Sequence, residues 1–224
     1  IVSLILNLET ATKNCSVSLA EDGIVIVLKE FYDGNFSHAE KLNVFINDVL
    51  SNSSKTLQDL DAIAVSKGPG SYTGLRIGVS SAKGLCFALD IPLISVSTLQ
   101  SLSLQVSYKG GFIIPMLDAR RMEVYSAVFD KNNDQIRDIK AEILDTYSFE
   151  TYLNKGITYF IGDGVTKTKT IIEHPNARYI ENKLPSANEM AILSYFDYKN
   201  DNFENVAYFE PFYLKDFVTN VKPQ

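Results

Sequence analysis

Cysteine and histidine are scarce in this sequence, which contains two of each among its 224 residues. The cysteines, Cys15 and Cys86, lie far apart, and we expect two free buried thiols rather than a disulfide. The histidines, His38 and His174, are too few to build a three- or four-ligand transition-metal centre. The sequence therefore predicts no histidine-built metal site, while a magnesium site made only of carboxylates stays open.

Long apolar runs and runs of basic residues are also missing. No stretch approaches the roughly 20 apolar residues of a membrane-spanning helix, and the opening stretch IVSLILNLET lacks the basic region of a signal peptide. We expect a cytoplasmic protein that has no membrane contact. The net charge is −6, whereas proteins that bind nucleic acid on their own are basic on at least one face. We therefore expect a poor tRNA binder, so that another subunit would hold any RNA.

The predicted elements follow the same order in both halves of the chain. Each half is interpreted as strand-strand-strand-helix-strand-helix, which is the plan of the actin, hexokinase and Hsp70 type of α/β fold (ASKHA, ribonuclease H-like). The expected strands are 4–8, 15–19, 24–31, 62–66 and 93–96, then 111–118, 122–130, 136–144 and 158–161. Helices are expected after Ser37, from about Leu75 to Leu89, and near 148–153, 165–172 and 186–198. We expect two lobes, 1–107 and 108–224.

Three S-x-x-E/Q patterns predict capping boxes at helix starts. They begin at Ser37, Ser97 and Ser186. In such a box the serine hydroxyl and the later carboxyl or amide group each bind a free backbone amide, so the pattern marks where a helix begins.

A glycine-rich turn joins a predicted strand to a predicted helix. Its residues are Lys67, Gly68, Pro69, Gly70, Ser71, Tyr72, Thr73 and Gly74. Backbone amides at a helix start can face an anion, yet the spacing fits neither the Walker A nor the dinucleotide fingerprint. The alternative is a tight turn whose glycines permit positive φ or close packing. Spacing alone leaves both interpretations open.

The helix after this turn carries two stripes at helical spacing. The first, which is predicted to pack on the sheet, consists of Leu75, Val79, Ala82, Cys86 and Leu89. The second consists mainly of small residues: Ile77, Ser81, Gly84 and Ala88. Small side chains allow close packing either within the domain or against a partner's helix. Arg76 and Lys83 are seven residues apart on this helix and are interpreted as a solvated edge or as partners for acidic groups.

Several strings of the sequence resemble the TsaB (YeaZ) family. SKGPGSYTGLRIGVSSAKGL is similar to the family signature nearly residue for residue. Shorter similar strings are LETAT from Leu8, SHAEKL from Ser37, ISVSTL from Ile94, DARRMEVY from Asp118 and PFYLK from Pro211. They include the motif residues Asp118, Arg120, Arg121, Pro211 and Tyr213. Asp118 is also a candidate turn residue that binds its own backbone, and the two arginines are interpreted as either solvated or anion-binding.

The resemblance implies an actin-like protein without a catalytic site of its own. Such a protein pairs with TsaD, its catalytic paralogue, and with the ATPase TsaE in forming threonylcarbamoyladenosine (t6A) beside the anticodon of tRNAs that read ANN codons. ATP and a metal ion are implied for the partner subunits and no cofactor for this chain, which would meet tRNA only through the complex. The family also dimerises through its first two helices, so Ile77, Ser81, Gly84, Ala88, Arg76 and Lys83 are candidate interface residues and a homodimer is a second possibility.

Three positions depart from the family pattern. Glu9 and Ala11 stand where the family usually has Asp-Thr-Ser, and Lys215 replaces an arginine, which removes a bidentate contact. The first hairpin also lacks the glycine with which actin-fold kinases approach phosphate, so structural roles are expected for Thr10 and Thr12. The alternative function is a stand-alone actin-fold phosphotransferase or hydrolase, the class behind the older glycoprotease label.

Overall fold

The computed structural model describes residues 2–35, 37–107 and 110–215 and contains two five-stranded mixed sheets. The first sheet has the spatial order β3-β2-β1-β4-β5. Its strands are β1 (Leu4–Glu9), β2 (Cys15–Glu21), β3 (Ile24–Phe31), β4 (Ala62–Gly68) and β5 (Leu93–Ser97). β1, β2 and β3 form an antiparallel meander, whereas β4 and β5 run parallel to β1. β1 is buried along its whole length, because layers cover both faces of the sheet centre.

The second sheet repeats this arrangement with the order β8-β7-β6-β9-β10. Its strands are β6 (Phe112–Asp118), β7 (Glu123–Phe129), β8 (Gln135–Ile143), β9 (Thr158–Ile161) and β10 (Ala177–Ile180). Again the first three strands are antiparallel and the last two run parallel to the first. The duplicated actin-like α/β plan that the sequence predicts is confirmed.

Helices cover both faces of each sheet. They are α1 (His38–Asn52), α2 (Tyr72–Leu89), α3 (Thr98–Ser103), α4 (Glu150–Leu153), α5 (Val165–Lys169) and α6 (Ala187–Lys199), with a short 3-10 helix at Leu57–Asp59. α1 and α2 pack on one face of the first sheet, and α6 packs on the opposite face. Within the described ranges no helix has both the length and the apolar character needed to cross a bilayer.

The last helix of each half packs against the sheet of the other half. Leu99 and Leu102 of α3 join the core of the second sheet around Phe129. Ala187 and Met190 of α6 join the core of the first sheet. This exchange interlocks the two halves, and the division into lobes at 1–107 and 108–224 stays a prediction.

Several predicted details were wrong or incomplete. β10 was not predicted, because a four-residue edge strand is too short to show a period. The Ser37 capping box is absent, since the Ser37 hydroxyl makes no capping bond at α1. The Ser97 and Ser186 hydroxyls do cap α3 and α6. The Glu189 carboxylate, however, accepts bonds from the side chains of Asn188 and Gln105 rather than from the Ser186 amide, so the capping box at α6 is incomplete. Both cysteines are free and buried, as expected.

Candidate partner interface and glycine-rich turn

Helix α2 begins at Tyr72, three residues before the predicted start. Ser71 is its N-cap, and the Ser71 hydroxyl accepts a bond from the Gly74 amide at 3.3 Å. The helix ends at Leu89, and the C-cap residue Asp90 adopts a left-handed conformation with φ of 55°. Sequence reasoning placed the start too late because it treated the second half of the turn as loop, whereas the Ser71 cap already satisfies a first-turn amide.

The glycines of the turn allow it to pack against the loop between β1 and β2. A Cβ atom on Gly70 would lie 2.4 Å from the Ala11 carbonyl oxygen, and one on Gly74 would lie 2.1 Å from that of Thr10. The Ser71 amide donates to the Ala11 oxygen at 2.7 Å, and the Thr10 hydroxyl donates to the Gly74 oxygen at 2.8 Å. The amides of Ser71 and Gly74, at the helix start, are therefore both bound within the chain. The close-packing interpretation of these glycines is confirmed, and Thr10 has the expected structural role.

Glu9 ends β1 and is fully buried. Its Oε1 accepts bonds from the Ala11 amide at 2.6 Å and from the Ser66 hydroxyl at 2.9 Å. Its Oε2 has no hydrogen-bond partner among the described residues. Burial raises the pKa of Glu9 to about 7, although these bonds act in the opposite direction. Glu9 therefore serves as a buried structural acid that is neutral in mildly acidic solution and about half ionised near pH 7.

The two histidines lie in separate places. His38 Nε2 is 2.7 Å from the Thr12 carbonyl oxygen, and burial lowers the pKa of His38. His174 Nδ1 accepts from the Asn176 amide at 3.1 Å. Across the ranges that the structure describes, no group of three or more His, Cys, Asp or Glu side chains is placed to hold a metal ion.

The predicted inner stripe of α2 is buried on the first sheet, with Leu89 partly buried at its end. The second stripe is more open. Ile77 is half-buried and packs against the same core, whereas Gly84 and Ala88 are exposed. A Cβ atom on Gly84 would meet nothing within 4 Å. Packing inside this chain therefore does not account for a glycine at position 84.

Two cations on α2 contact the segment that follows α6. The Arg76 guanidinium lies 4.3 Å from the Tyr72 ring centroid and donates to the Tyr213 hydroxyl at 3.4 Å. Lys83 Nζ donates to the Ala207 and Phe209 carbonyl oxygens at 3.2 and 2.9 Å. Arg76 remains exposed, while Lys83 serves mainly to anchor the chain's own C-terminal segment to α2.

Sequence reasoning missed two exposed aromatic side chains beside this face. Phe87 of α2 is 84% exposed, and so is Tyr208, whose neighbours hold Lys83. Phe87 lies one turn after Lys83, on the face that also carries Arg76. The sequence did contain a signal for this site: Phe87 falls on the same helical face as the cations Arg76 and Lys83. A helix face that is covered only by water is normally polar, so a large aromatic side chain there indicates a binding surface.

The hairpin between β6 and β7 presents the motif arginines. The Arg120 amide donates to Asp118 Oδ1 at 2.6 Å, which confirms the predicted backbone-binding role of Asp118. Arg120 and Arg121 adopt positive φ values of 70° and 45°, and both side chains are exposed. Lys167 Nζ caps the turn by donating to the Arg121 and Glu123 oxygens.

The C-terminal motif runs from the glycine-rich turn to this hairpin. The Phe212 amide donates to the Lys67 oxygen at 2.7 Å, and the Tyr213 ring lies 4.8 Å from that of Tyr72. Lys215 Nζ pairs with the Glu123 carboxylate at the start of β7. Pro211 and Tyr213 therefore lie next to the glycine-rich turn, although they are remote from it in sequence.

Comparison with known proteins places the chain in one family. A family model described as TsaD, tRNA N6-adenosine threonylcarbamoyltransferase, matches residues 35–222. The tRNA threonylcarbamoyladenosine biosynthesis protein TsaB of Escherichia coli is 37% identical over 134 residues, which are 59% of this chain and 57% of that protein. The Bacillus subtilis protein of the same name is 35% identical over 60% of this chain and 58% of its own length. These matches span less than two thirds of either relative.

Longer matches extend the relationship along the chain. The Haemophilus influenzae TsaB protein is 29% identical over 96% of this chain and 94% of that protein. The solved structure of YeaZ from Pseudomonas aeruginosa is 26% identical, with a TM-score of 0.82, and the alignment covers 95% of this chain and 100% of that one. On this evidence, the chain belongs to the TsaB (YeaZ) family.

Proposed function

We propose that this chain is a non-catalytic subunit that binds and activates a TsaD-like enzyme in the formation of tRNA t6A. The observation that carries the proposal is the outward face of α2, where Gly84 and Ala88 are exposed and Phe87 projects beside them. The names of the related proteins, which refer to tRNA threonylcarbamoyladenosine biosynthesis, supply the pathway.

The shape of this face suits a helix from another subunit. Gly84 has open space above it, so a neighbouring helix can approach the α2 backbone closely. Phe87 offers an aromatic anchor of the kind found at the centre of interfaces. A face of this kind fits a helical partner surface.

The glycine-rich turn favours an accessory role over catalysis by this chain. Two amides at the start of α2 are already bound within the chain, that of Ser71 to the Ala11 carbonyl oxygen and that of Gly74 to the Ser71 hydroxyl, which weakens the case for a phosphate site there. Glu9 is buried at the end of β1, where its carboxyl accepts bonds from the Ala11 amide and the Ser66 hydroxyl of this chain. No contact described above favours the alternative of a stand-alone phosphotransferase or hydrolase. We therefore assign ATP and the metal ion to the TsaD-like and TsaE-like partners, and a cytoplasmic location to the complex.

Co-purification with the TsaD-like protein of the same genome tests this interface. Ala88→Arg places a long charged side chain on the exposed face, and we expect it to weaken the complex by at least tenfold in Kd, because it buries an unpaired charge. Ile77→Asp is a less selective test, since Ile77 also packs against the core. Ile192→Arg is the matched control: Ile192 is 52% exposed on α6, which covers the opposite face of the sheet.

The outcomes separate the partner models. Loss of the complex with Ala88→Arg and its retention with Ile192→Arg support the α2 interface. Equal retention with both variants would refute it. If Ala88→Arg instead converts a homodimer of this chain to a monomer and leaves the TsaD-like complex intact, the face serves self-association.

A further inference from the structure

A line of cations crosses this otherwise acidic protein from the glycine-rich turn to the β6–β7 hairpin. We call it the cationic strip, and it consists of Lys67, Arg76, Arg120, Arg121 and Lys215, together with the rings of Tyr72 and Tyr213. The whole chain carries a net charge of −6, so this concentration of positive charge is local. We propose that the cationic strip binds the phosphodiester backbone of single-stranded RNA.

The C-terminal segment makes the strip continuous. Phe212 is bonded to Lys67 at one end, and Lys215 is paired with Glu123 at the other. Phe212 and Lys215 are three positions apart in the chain, so their Cα atoms lie within about 11 Å of each other. The Glu123 amide donates to the Arg120 carbonyl oxygen at 3.1 Å, so Lys215, which pairs with the Glu123 carboxylate, lies at the base of the hairpin that carries the two arginines. The strip therefore spans a few nucleotides of an extended strand.

The two hairpin arginines adopt a left-handed backbone conformation, which is more common for glycine and asparagine. Arg120 and Arg121 both have positive φ, a region that glycine and asparagine occupy more readily than arginine. The loop is closed by the Ala119 amide, which donates to the Glu123 oxygen at 3.0 Å. Backbone strain of this kind is maintained where a side chain has a function at that position. The charge at the tip is that function in our proposal.

Nearby carboxylates do not neutralise the tip. Asp118 is bound to the Arg120 amide and paired with Lys167 at 3.1 Å, and Glu123 is paired with Lys215. In the part of the chain that the structure describes, the Arg120 and Arg121 guanidinium groups have no ion-pair or hydrogen-bond partner. Their donors are thus open to an anion, and a guanidinium fork matches phosphate geometry.

The aromatic end of the strip favours RNA over an acidic protein segment. The Tyr72 and Tyr213 rings lie 4.8 Å apart, and the Arg76 guanidinium lies over Tyr72. A nucleic-acid base can stack on such a platform, whereas an acidic peptide gains nothing from it beyond charge. The strip combines this platform with cations along the path of the strand. This inference goes beyond the proposed function, in which tRNA is held only through the partner subunits.

Fluorescence anisotropy of the full chain with a short single-stranded RNA, between about 20 and 200 mM salt, tests the inference. The variant is Arg120→Asn with Arg121→Gly, which removes two charges and suits the positive φ of the loop. We expect about tenfold weaker binding at low salt and a salt slope smaller in magnitude by about 1.4, since each phosphate contact contributes about 0.7. We also expect a melting temperature no lower than that of the wild type, because strain is relieved.

The control removes the same charge elsewhere. Lys131→Ala with Lys183→Ala changes two exposed lysines away from the strip, and we expect both affinity and slope to be retained. Should the first variant fold poorly, Arg120→Gln with Arg121→Gln removes the charge and keeps the side-chain length. Undetectable RNA binding by the wild type, or equal losses in variant and control, would overturn the proposal. Equal binding of polyglutamate would also overturn it, since polyanion charge rather than strand chemistry, or an acidic protein partner, would then explain the strip.

The same variant separates this inference from the proposed function. Co-purification with the TsaD-like protein depends on the middle and end of α2, so we expect Arg120→Asn with Arg121→Gly to retain it. Loss of RNA binding together with a retained complex supports the strip as a separate surface. Loss of both together would contradict that separation.

Discussion

Glu9 shows most clearly what a single residue contributes to this fold. From the sequence it is visible only as a departure from the acidic residue usual in the family. In the structure it is a fully buried carboxyl that joins the Ala11 amide to the Ser66 hydroxyl, between β1 and β4. Its burial depends on how α1, α2 and the sheet close over the end of β1. Sequence patterns do not contain that information.

The raised pKa of Glu9 predicts a pH-dependent stability. The folded-state pKa is about 7, against 4.5 for an unperturbed glutamate. A carboxyl raised in this way stabilises the fold below pH 4.5, and that stabilisation is lost as pH rises to about 7. The free energy involved is on the order of 3 kcal/mol. We expect Glu9→Gln to be more stable than the wild type above pH 7 and to lose that advantage towards pH 4.5.

Urea denaturation of both proteins across this pH range measures the effect. The difference between the two proteins removes the contribution of every other titrating group, because those groups are shared. A difference in the free energy of unfolding that stays constant from pH 5 to pH 8 would show that Glu9 is already ionised in the folded state over this range. The raised pKa of Glu9 would then be wrong.

His38 illustrates a second limit at the residue scale. The pattern from Ser37 to Glu40 predicts a capping box, and α1 does begin at His38. The capping bond is nevertheless absent, because the start of α1 is fixed by tertiary contact instead: His38 Nε2 meets the Thr12 carbonyl oxygen. The short local pattern therefore predicted where α1 begins but not which contacts stabilise its first turn.

At the scale of elements, the inner stripe of α2 was predicted correctly, although the start of the helix was placed three residues too late. Its inner stripe follows from the 3.6-residue period, since apolar residues at that spacing must share one face. The outer face of α2 could be explained either by close packing within the domain or by contact with a partner's helix. Gly84 favours the second explanation, because a Cβ atom there would meet nothing within 4 Å. Phe87 was missed because the sequence reasoning considered only the small residues and the cations of the outer face, and Phe87 is 84% exposed there.

Two glycines of α2 provide a matched pair for measurement. A Cβ atom on Gly78 would lie 2.2 Å from the Thr10 hydroxyl, whereas one on Gly84 would meet nothing within 4 Å. We expect Gly84→Ala to stabilise the fold by about 0.5–1 kcal/mol, because alanine is the better helix former. Gly78→Ala should destabilise it by about 1–3 kcal/mol through overpacking.

Chemical denaturation of the two variants checks this pair. Destabilisation by Gly84→Ala would mean that the outer face of α2 is packed within the chain, and the interface interpretation would lose its basis. Stabilisation by Gly78→Ala would contradict the close packing of α2 against the first hairpin.

At the scale of the whole molecule, the order of elements was enough to predict the duplicated sheet. Three antiparallel strands followed by helix-linked strands have few compact solutions, so the topology follows from the order. The exchange of α3 and α6 between the halves could not be predicted in the same way. α6 carries large apolar side chains on its exposed side as well as on its buried side, and α3 is buried along nearly its whole length. Their sequence patterns therefore do not specify which sheet each helix packs against. Contacts remote in sequence, such as Tyr213 with Tyr72, had no local signal either.

The t6A content of tRNA after depletion of this protein tests the central claim most directly. Mass spectrometry of digested tRNA compares depleted cells that are complemented with the wild type, with Ala88→Arg or with Ile192→Arg. We predict that t6A falls on depletion, that the wild type and Ile192→Arg restore it, and that Ala88→Arg does not. Unchanged t6A in the depleted cells would contradict the account.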